Sequence, residues 1–161
     1  VAHRLLARGE RVIGVDIVND YYDPALKEAR LATFAGINSF AFERIDIADV
    51  AKMAALVRDH KVVRVVHLAA QAGVRYSIEN PFAYERSNLA GHLSVMEACR
   101  HAEGFEHLVY ASSRSVYGDK PLGGAGWRGQ PCRCVRAYSQ RWRVSDSPLT
   151  TSSTAMVRRM T

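Results

Sequence analysis

Arg11-Val-Ile-Gly-Val-Asp-Ile-Val18 is almost continuously apolar and β-branched, as expected of a strand covered on both faces in a parallel sheet. Asn19 and Asp20 end it. Upstream, Val1 to Arg8 places apolar residues at 1, 2, 5 and 6, a helical stripe, and Gly9 suits the residue that closes a helix. Downstream, Asp23-Pro24 opens a predicted helix through Leu31, with Asp as N-cap and Pro in the first turn. Ser39 to Ile47 alternates through Phe40, Phe42 and Ile45 and predicts a further strand. Asp49 caps a helix to about His60, with Met53, Leu56 and Val57 on one face. Lys61-Val-Val-Arg-Val-Val-His-Leu-Ala-Ala70 reads as another buried strand. A longer helix is predicted from about Pro81 to His101, with Leu89, Leu93, Met96 and Ala98 inward, and Phe105 to Ala111 forms the next strand. Strand and helix alternate throughout, so the class is α/β with a parallel sheet.

The 161 residues suit one domain with a real core. No apolar run approaches the roughly 18 residues that cross a bilayer, and the N-terminus lacks the apolar stretch of a signal peptide. The chain opens on Val1, so a start upstream is expected. Cys99, Cys132 and Cys134 lack metal-ligand spacing, so no metal site is expected, and a reducing, cytoplasmic setting is the default. The net charge is +6, but residues 119–161 hold eight Lys/Arg against two Asp, while residues 1–118 hold fourteen of each sign. The basicity belongs to the tail, which argues against nucleic acid as the partner of the folded part. Residues 121–134 are rich in Gly, Pro, Arg and Cys, and 139–161 hold nine Ser or Thr without apolar periodicity. An irregular basic tail over 121–161 is expected. A reading-frame shift after about residue 120 would produce the same composition.

Asp16 stands at the carboxyl end of its strand. In a dinucleotide-binding unit an acid there accepts hydrogen bonds from the adenosine ribose and repels a 2′-phosphate, favouring NAD over NADP. The competing reading is a strand-ending Asp that begins a turn. The glycine loop of such a unit would lie about a dozen residues before the chain begins.

Four segments, in order, carry a resemblance. Gly14-Val-Asp-Ile-Val-Asn-Asp-Tyr-Tyr-Asp-Pro-Ala-Leu-Lys-Glu-Ala-Arg-Leu31 and His67-Leu-Ala-Ala-Gln-Ala-Gly-Val-Arg-Tyr-Ser-Ile-Glu-Asn-Pro81 are the longer two. Ser87-Asn-Leu-Ala-Gly91 and Ala111-Ser-Ser-Arg-Ser-Val-Tyr-Gly118 complete the series. Together they resemble the NAD-dependent epimerase/dehydratase family of extended short-chain dehydrogenases, most closely its UDP-glucuronate 4-epimerases, over residues 1–120. The resemblance implies a partial NAD-binding domain there. Its fold would be a Rossmann-like doubly wound parallel sheet lacking its first strand and glycine loop. It implies that Asp16 and Asn19 hold the adenosine end of NAD and that Asp46 and Ile47 meet the adenine. Leu68, Ala69 and Ala70 would wall the cofactor, and Asn88 would steady the strands on the nicotinamide side. Gln71 and Arg75 would approach a UDP-sugar or its pyrophosphate. Ile17 stands where the family often has Asn, which removes one ribose contact.

Ser113 and Ser115 lie at a strand end, where catalytic side chains of open α/β sheets collect. The family residue matching Ser113 hydrogen-bonds the sugar hydroxyl to be oxidised. Family dehydratases place an Asp-Glu pair where this chain has Arg114-Ser115, so dehydration is disfavoured. The implied reaction is oxidation and re-reduction at the sugar C4. It calls for a Tyr base assisted by a Lys four residues later, because a phenol near pKa 10 needs help at neutral pH. Tyr138 falls near the expected position, but residue 142 is Trp. With no glycine loop, Tyr/Lys pair or C-terminal sugar domain, the chain is expected to turn over little substrate. A homodimer is expected of the intact family member. The alternatives are a non-enzymatic Rossmann remnant whose tail binds nucleic acid or acidic partners, and a nucleotide-sugar dehydratase or decarboxylase. A sheet without its first strand would expose apolar faces and backbone edges at its centre, so poor solubility or partial unfolding is expected.

Overall fold

The helices that follow the first two apolar strand segments each start at a capping acid, Asp23 and Asp49. The computed structural model describes residues 1–111 and 154–158. Helix α1 (Ala2–Leu6) leads into β1 (Arg11–Val15), then α2 (Pro24–Ala32), β2 (Phe40–Glu43), α3 (Val50–Asp59) and β3 (Val62–His67). Asp23 caps α2 by accepting from the Ala25 N–H (2.9 Å), and Asp49 caps α3 through Lys52 N–H (3.1 Å). Next come α4 (Val74–Glu79), α5 (Pro81–Tyr84), a π-helical turn (Glu85–Ala90), α6 (Gly91–Arg100) and β4 (His107–Tyr110). The last strand described is β5 (Thr154–Arg158).

The sheet has five strands in the order β2-β1-β5-β3-β4. β1 pairs with β2, and β3 with β4, in parallel, whereas β5 is antiparallel to both β1 and β3. The four strands before it therefore share one direction. This is a Rossmann-like arrangement with one reversed strand at its centre. A register shift between Val62 and Arg64 puts a bulge in β3 where it meets β5, the usual device for fitting an irregular neighbour. Helices cover both faces. On one, α3 and α6 pack together over Ile13, Val15, Val65 and Met156. On the other, α1 packs on β1, and His3 of α1 stacks on Phe34, which stacks on Phe40 of β2.

Two expectations are corrected here. The centre of the sheet is not open, because β5 fills it. The basic tail is not irregular throughout, since Thr154 to Val157 are buried, with Met156 fully so. The run Ala-Met-Val is too short to show periodicity. It becomes a strand because two neighbours offer it unpaired backbone and two helical layers offer it cover.

The long helix also departs from the predicted register. Leu89, Leu93 and Met96 are exposed, and Gly91, Ser94, Val95, Ala98 and Cys99 face inward. The π turn adds a residue and rotates the phase of α6 beyond it. Close approach is the reason for small residues on the inward face: a Cβ on Gly91 would lie 2.7 Å from Ile47. Among the described residues no helix is long and apolar enough to cross a membrane.

Met156→Ala is expected to destabilise the protein by about 2–5 kcal/mol, the range for emptying a buried methionine site, in urea unfolding. A change within about 0.5 kcal/mol, as at a surface position, would show that β5 is not in the core.

Candidate functional site

The parallel strands end at one edge of the sheet, and the residues just past β1, β2 and β3 converge there. Beyond β1, the Asp16 carboxylate accepts from the Val18 N–H (2.6 Å), which bends the chain so that Val18 takes φ 50° and the strand stops at Val15. Lys27, reaching back from α2, bonds both Asp16 Oδ1 (3.2 Å) and Asn19 Oδ1 (3.1 Å). The Asp16–Lys27 side chains are only 9 % and 14 % exposed, so the acid is held in one orientation.

Beyond β2, Asp46 accepts from Ala48 N–H through Oδ1 (2.9 Å) and from Arg86 Nε through Oδ2 (2.7 Å). This contact holds the Arg86 guanidinium above its ordinary pKa. Each carboxylate oxygen keeps a second lone pair for another donor. Ile47 is buried beneath Gly91. Beyond β3, Asn88 clasps the backbone of Gln71, accepting from its N–H (2.8 Å) and donating to its carbonyl (3.0 Å). Tyr21 Oη donates to the Ala72 carbonyl (2.9 Å) and Tyr84 Oη to that of Gly73. Gly73 takes φ 99° with the Tyr21 hydroxyl against it, a place where any Cβ would collide.

These loops enclose a cavity of about 210 Å³. Asp16, Asn19, Asp46, Ile47, Ala69, Ala70 and Gln71 all line it. Leu68, Asn88 and Arg75 do not. Leu68 is half-buried outside it, Asn88 spends its amide on Gln71, and Arg75 is exposed on α4. Asn88 thus holds the Gln71 backbone at the edge of the cavity. Ser113, Ser115 and Tyr138 lie outside the described residues. The sequence reading missed Lys27, Arg86, Tyr21, Tyr22 and Tyr76, which also line the cavity. The adjacent tyrosines at a strand-to-helix turn were a visible signal. Arg86 gave none, because its partner is 40 residues away.

Next to this cavity, at the carboxyl edge of β3, His67 is buried, its Nδ1 3.0 Å from Thr154 Oγ1. Its ring stacks on His92 at 5.0 Å, and His92 meets Tyr110 edge-on.

Four parallel strands around a reversed central one, with acids past the ends of β1 and β2 facing one cavity beside Ala69 and Ala70, form a Rossmann-like α/β arrangement. The family model for the NAD dependent epimerase/dehydratase family matches residues 1–151. The chain belongs to that family. It is 47 % identical over 118 residues to UDP-glucuronate 4-epimerase 3 of Arabidopsis thaliana, covering 73 % of this chain and 27 % of that protein. Among solved structures, a UDP-glucose-4-epimerase from Stenotrophomonas maltophila, with bound NAD and formylated UDP-arabinopyranose, aligns with TM-score 0.59 and 32 % identity. That alignment covers 72 % of this chain and 33 % of the other. The Thermus thermophilus UDP-glucose 4-epimerase in complex with NAD aligns with TM-score 0.60 and 32 % identity over 76 % of this chain and 36 % of that one. The chain spans about a third of the length of the first curated relatives it matches.

Burial, then the neighbouring His92, pushes His67 down to about 4 from an ordinary 6.5. The folded value lies below the unfolded one, so the unfolded chain takes the proton first. The stability held by neutral His67 is complete above pH 6.5 and is lost as pH falls from 6.5 towards 4. Stability measured by denaturant titration is expected to fall across that window, with a shallower slope in His67→Gln. Equal slopes would contradict a buried neutral imidazole.

Proposed function

We propose that this chain carries the adenosine-binding part of an NAD-dependent nucleotide-sugar epimerase, of the kind that inverts C4 of UDP-glucuronate. The observation that carries this reading is the convergence of Asp16 and Asp46 on one cavity, with Ala69 and Ala70 beside them. The residues present fit the adenosine end of NAD. Asp16 has the place and the charge to accept from ribose hydroxyls, and Lys27 and the Val18 N–H fix its rotamer. Asn19 lies beside it on the same lysine. Asp46 would accept from the exocyclic amine of adenine, Ile47 offers an apolar contact, and Ala69 and Ala70 leave room where larger side chains would intrude.

When bound, NAD supplies the hydride acceptor and donor of the family reaction. Gln71 and Arg75 are proposed to face the UDP-sugar, with Leu68 and Asn88 fixing the segment that bears them. Ser113 and Ser115 would bond the sugar hydroxyl, and Tyr138 would be its base. Because Trp142 stands where the helping lysine would be, little or no turnover is expected of this chain. Burial pushes the Cys99 thiol up to about 12, which leaves it unreactive; a cytoplasmic setting is proposed from the family alone.

The carboxylate of Asp16 would make charge-assisted bonds to the ribose, worth about 1.5–3 kcal/mol. Asp16→Asn is therefore expected to weaken NAD binding by about tenfold or more, measured by isothermal titration with circular dichroism as the check on folding. Unchanged affinity would contradict the assignment. Wild-type protein should also bind NAD in preference to NADP.

A homodimer is proposed as well. Leu89, Leu93 and Met96 recur at helical spacing and are 67 %, 58 % and 43 % exposed, an apolar stripe that a second copy would cover. Sedimentation should show a dimer that Leu93→Glu converts to a monomer. A monomeric wild-type chain would contradict the proposal.

A further inference from the structure

The acid at the end of β1 shares its place with a cation. Lys27 Nζ lies 3.2 Å from Asp16 Oδ1 and 3.1 Å from Asn19 Oδ1, and all three residues line the cavity. The Asp16 and Lys27 side chains are largely buried, so water screens their charges poorly. In a dinucleotide site an acid at this position repels a 2′-phosphate, whereas sites that accept the phosphate place a cation nearby. This chain has both, in contact.

Among the described residues the charged side chains lining the cavity are Asp16, Asp20 and Asp46 against Lys27 and Arg86. Arg86 is held by Asp46 at 2.7 Å, past the end of β2. Lys27 is therefore the cation placed to meet a group on the ribose that Asp16 would hold. An ammonium has three donors, of which Asp16 and Asn19 take two. Replacing Asp16 by Asn would keep an oxygen for the Val18 N–H, which now bonds it at 2.6 Å. The same change would remove the carboxylate charge and add an N–H donor. The lysine would then have neutral side chains at both 16 and 19, and its charge would be available to an anion.

We propose that Lys27 determines nucleotide specificity: it masks the repulsion of a 2′-phosphate by Asp16, and it receives that phosphate once the Asp16 charge is removed. The proposal rests on the reading of the cavity as an adenosine site and concerns which adenine nucleotides that site admits. Wild-type protein favours the unphosphorylated ribose only moderately, because attraction and repulsion of the phosphate largely offset each other. Removing either partner unbalances them, in opposite directions.

Isothermal titration of the full 161-residue chain with adenosine 5′-monophosphate and adenosine 2′,5′-bisphosphate tests this through the ratio of their dissociation constants. Damage that weakens both ligands alike leaves that ratio unmoved. Lys27→Met is expected to raise the preference for the monophosphate by about tenfold or more, the scale of one charge-assisted bond. Asp16→Asn is expected to reverse the preference, and adding Lys27→Met to it to abolish the reversal. Circular dichroism checks folding, and if Asp16→Asn does not fold, the ratio in Lys27→Met decides alone. A ratio within about twofold of wild type in Lys27→Met, or a folded Asp16→Asn that still prefers the monophosphate, would overturn the proposal and leave the adenosine reading standing. Failure of the wild-type chain to bind either nucleotide would instead remove the adenosine reading and the proposal with it.

Discussion

The two halves of the sheet meet through the backbone ladder of Thr154–Arg158. On one side stand β1 and β2, on the other β3 and β4, each pair parallel, and β5 bonds to the inner strand of both. Buried backbone N–H and C=O groups must find partners, and central strands without β5 would present such groups along both inner edges. Met156 adds its side chain to the core beneath α3 and α6, together with Ile13, Val15 and Val65. A second tie crosses the same seam near its other end, where Arg64 of β3 bonds Glu10 before β1 and Glu106 before β4, both at 3.0 Å. That ion pair network is partly exposed and contributes modestly. The strand matters more, because it supplies both hydrogen bonds and buried apolar surface.

The cavity depends on the same geometry. Its acids sit where β1 and β2 stop, and its alanine wall sits where β3 stops, so their spacing is set by how far apart the strands are held. Local bonds then fix the side chains: Lys27 on Asp16, Arg86 on Asp46, and Asn88 on the backbone of Gln71. The contact of Gly91 with Ile47 couples α6 to the Asp46 side of the cavity.

Much of this was legible in the sequence, because period and capping are local properties. The apolar runs at 11–18 and 61–70, and the capping acids Asp23 and Asp49, located their elements to within a few residues. Asp16 could be picked out because a strand end followed by an acid is a short-range pattern, whereas Asp46 came only through the family resemblance. The exposed faces of Leu89, Leu93 and Met96 could not, because the π turn Glu85–Ala90 shifts the helical phase without a local mark in the sequence. Lys27 and Arg86 escaped notice because their partners are distant in sequence. β5 was the least legible element. Thr-Ala-Met-Val-Arg has no period of its own and becomes a strand only where two other strands leave a vacancy.

Native-state hydrogen exchange on the full chain tests the central role of β5 most directly. The amides of Ala155, Met156 and Val157 should exchange only through global unfolding, as slowly as those of Val12 to Val15 and Val65 to His67. Exchange of these three amides at the rate of an unstructured peptide, with the other strands still protected, would contradict it.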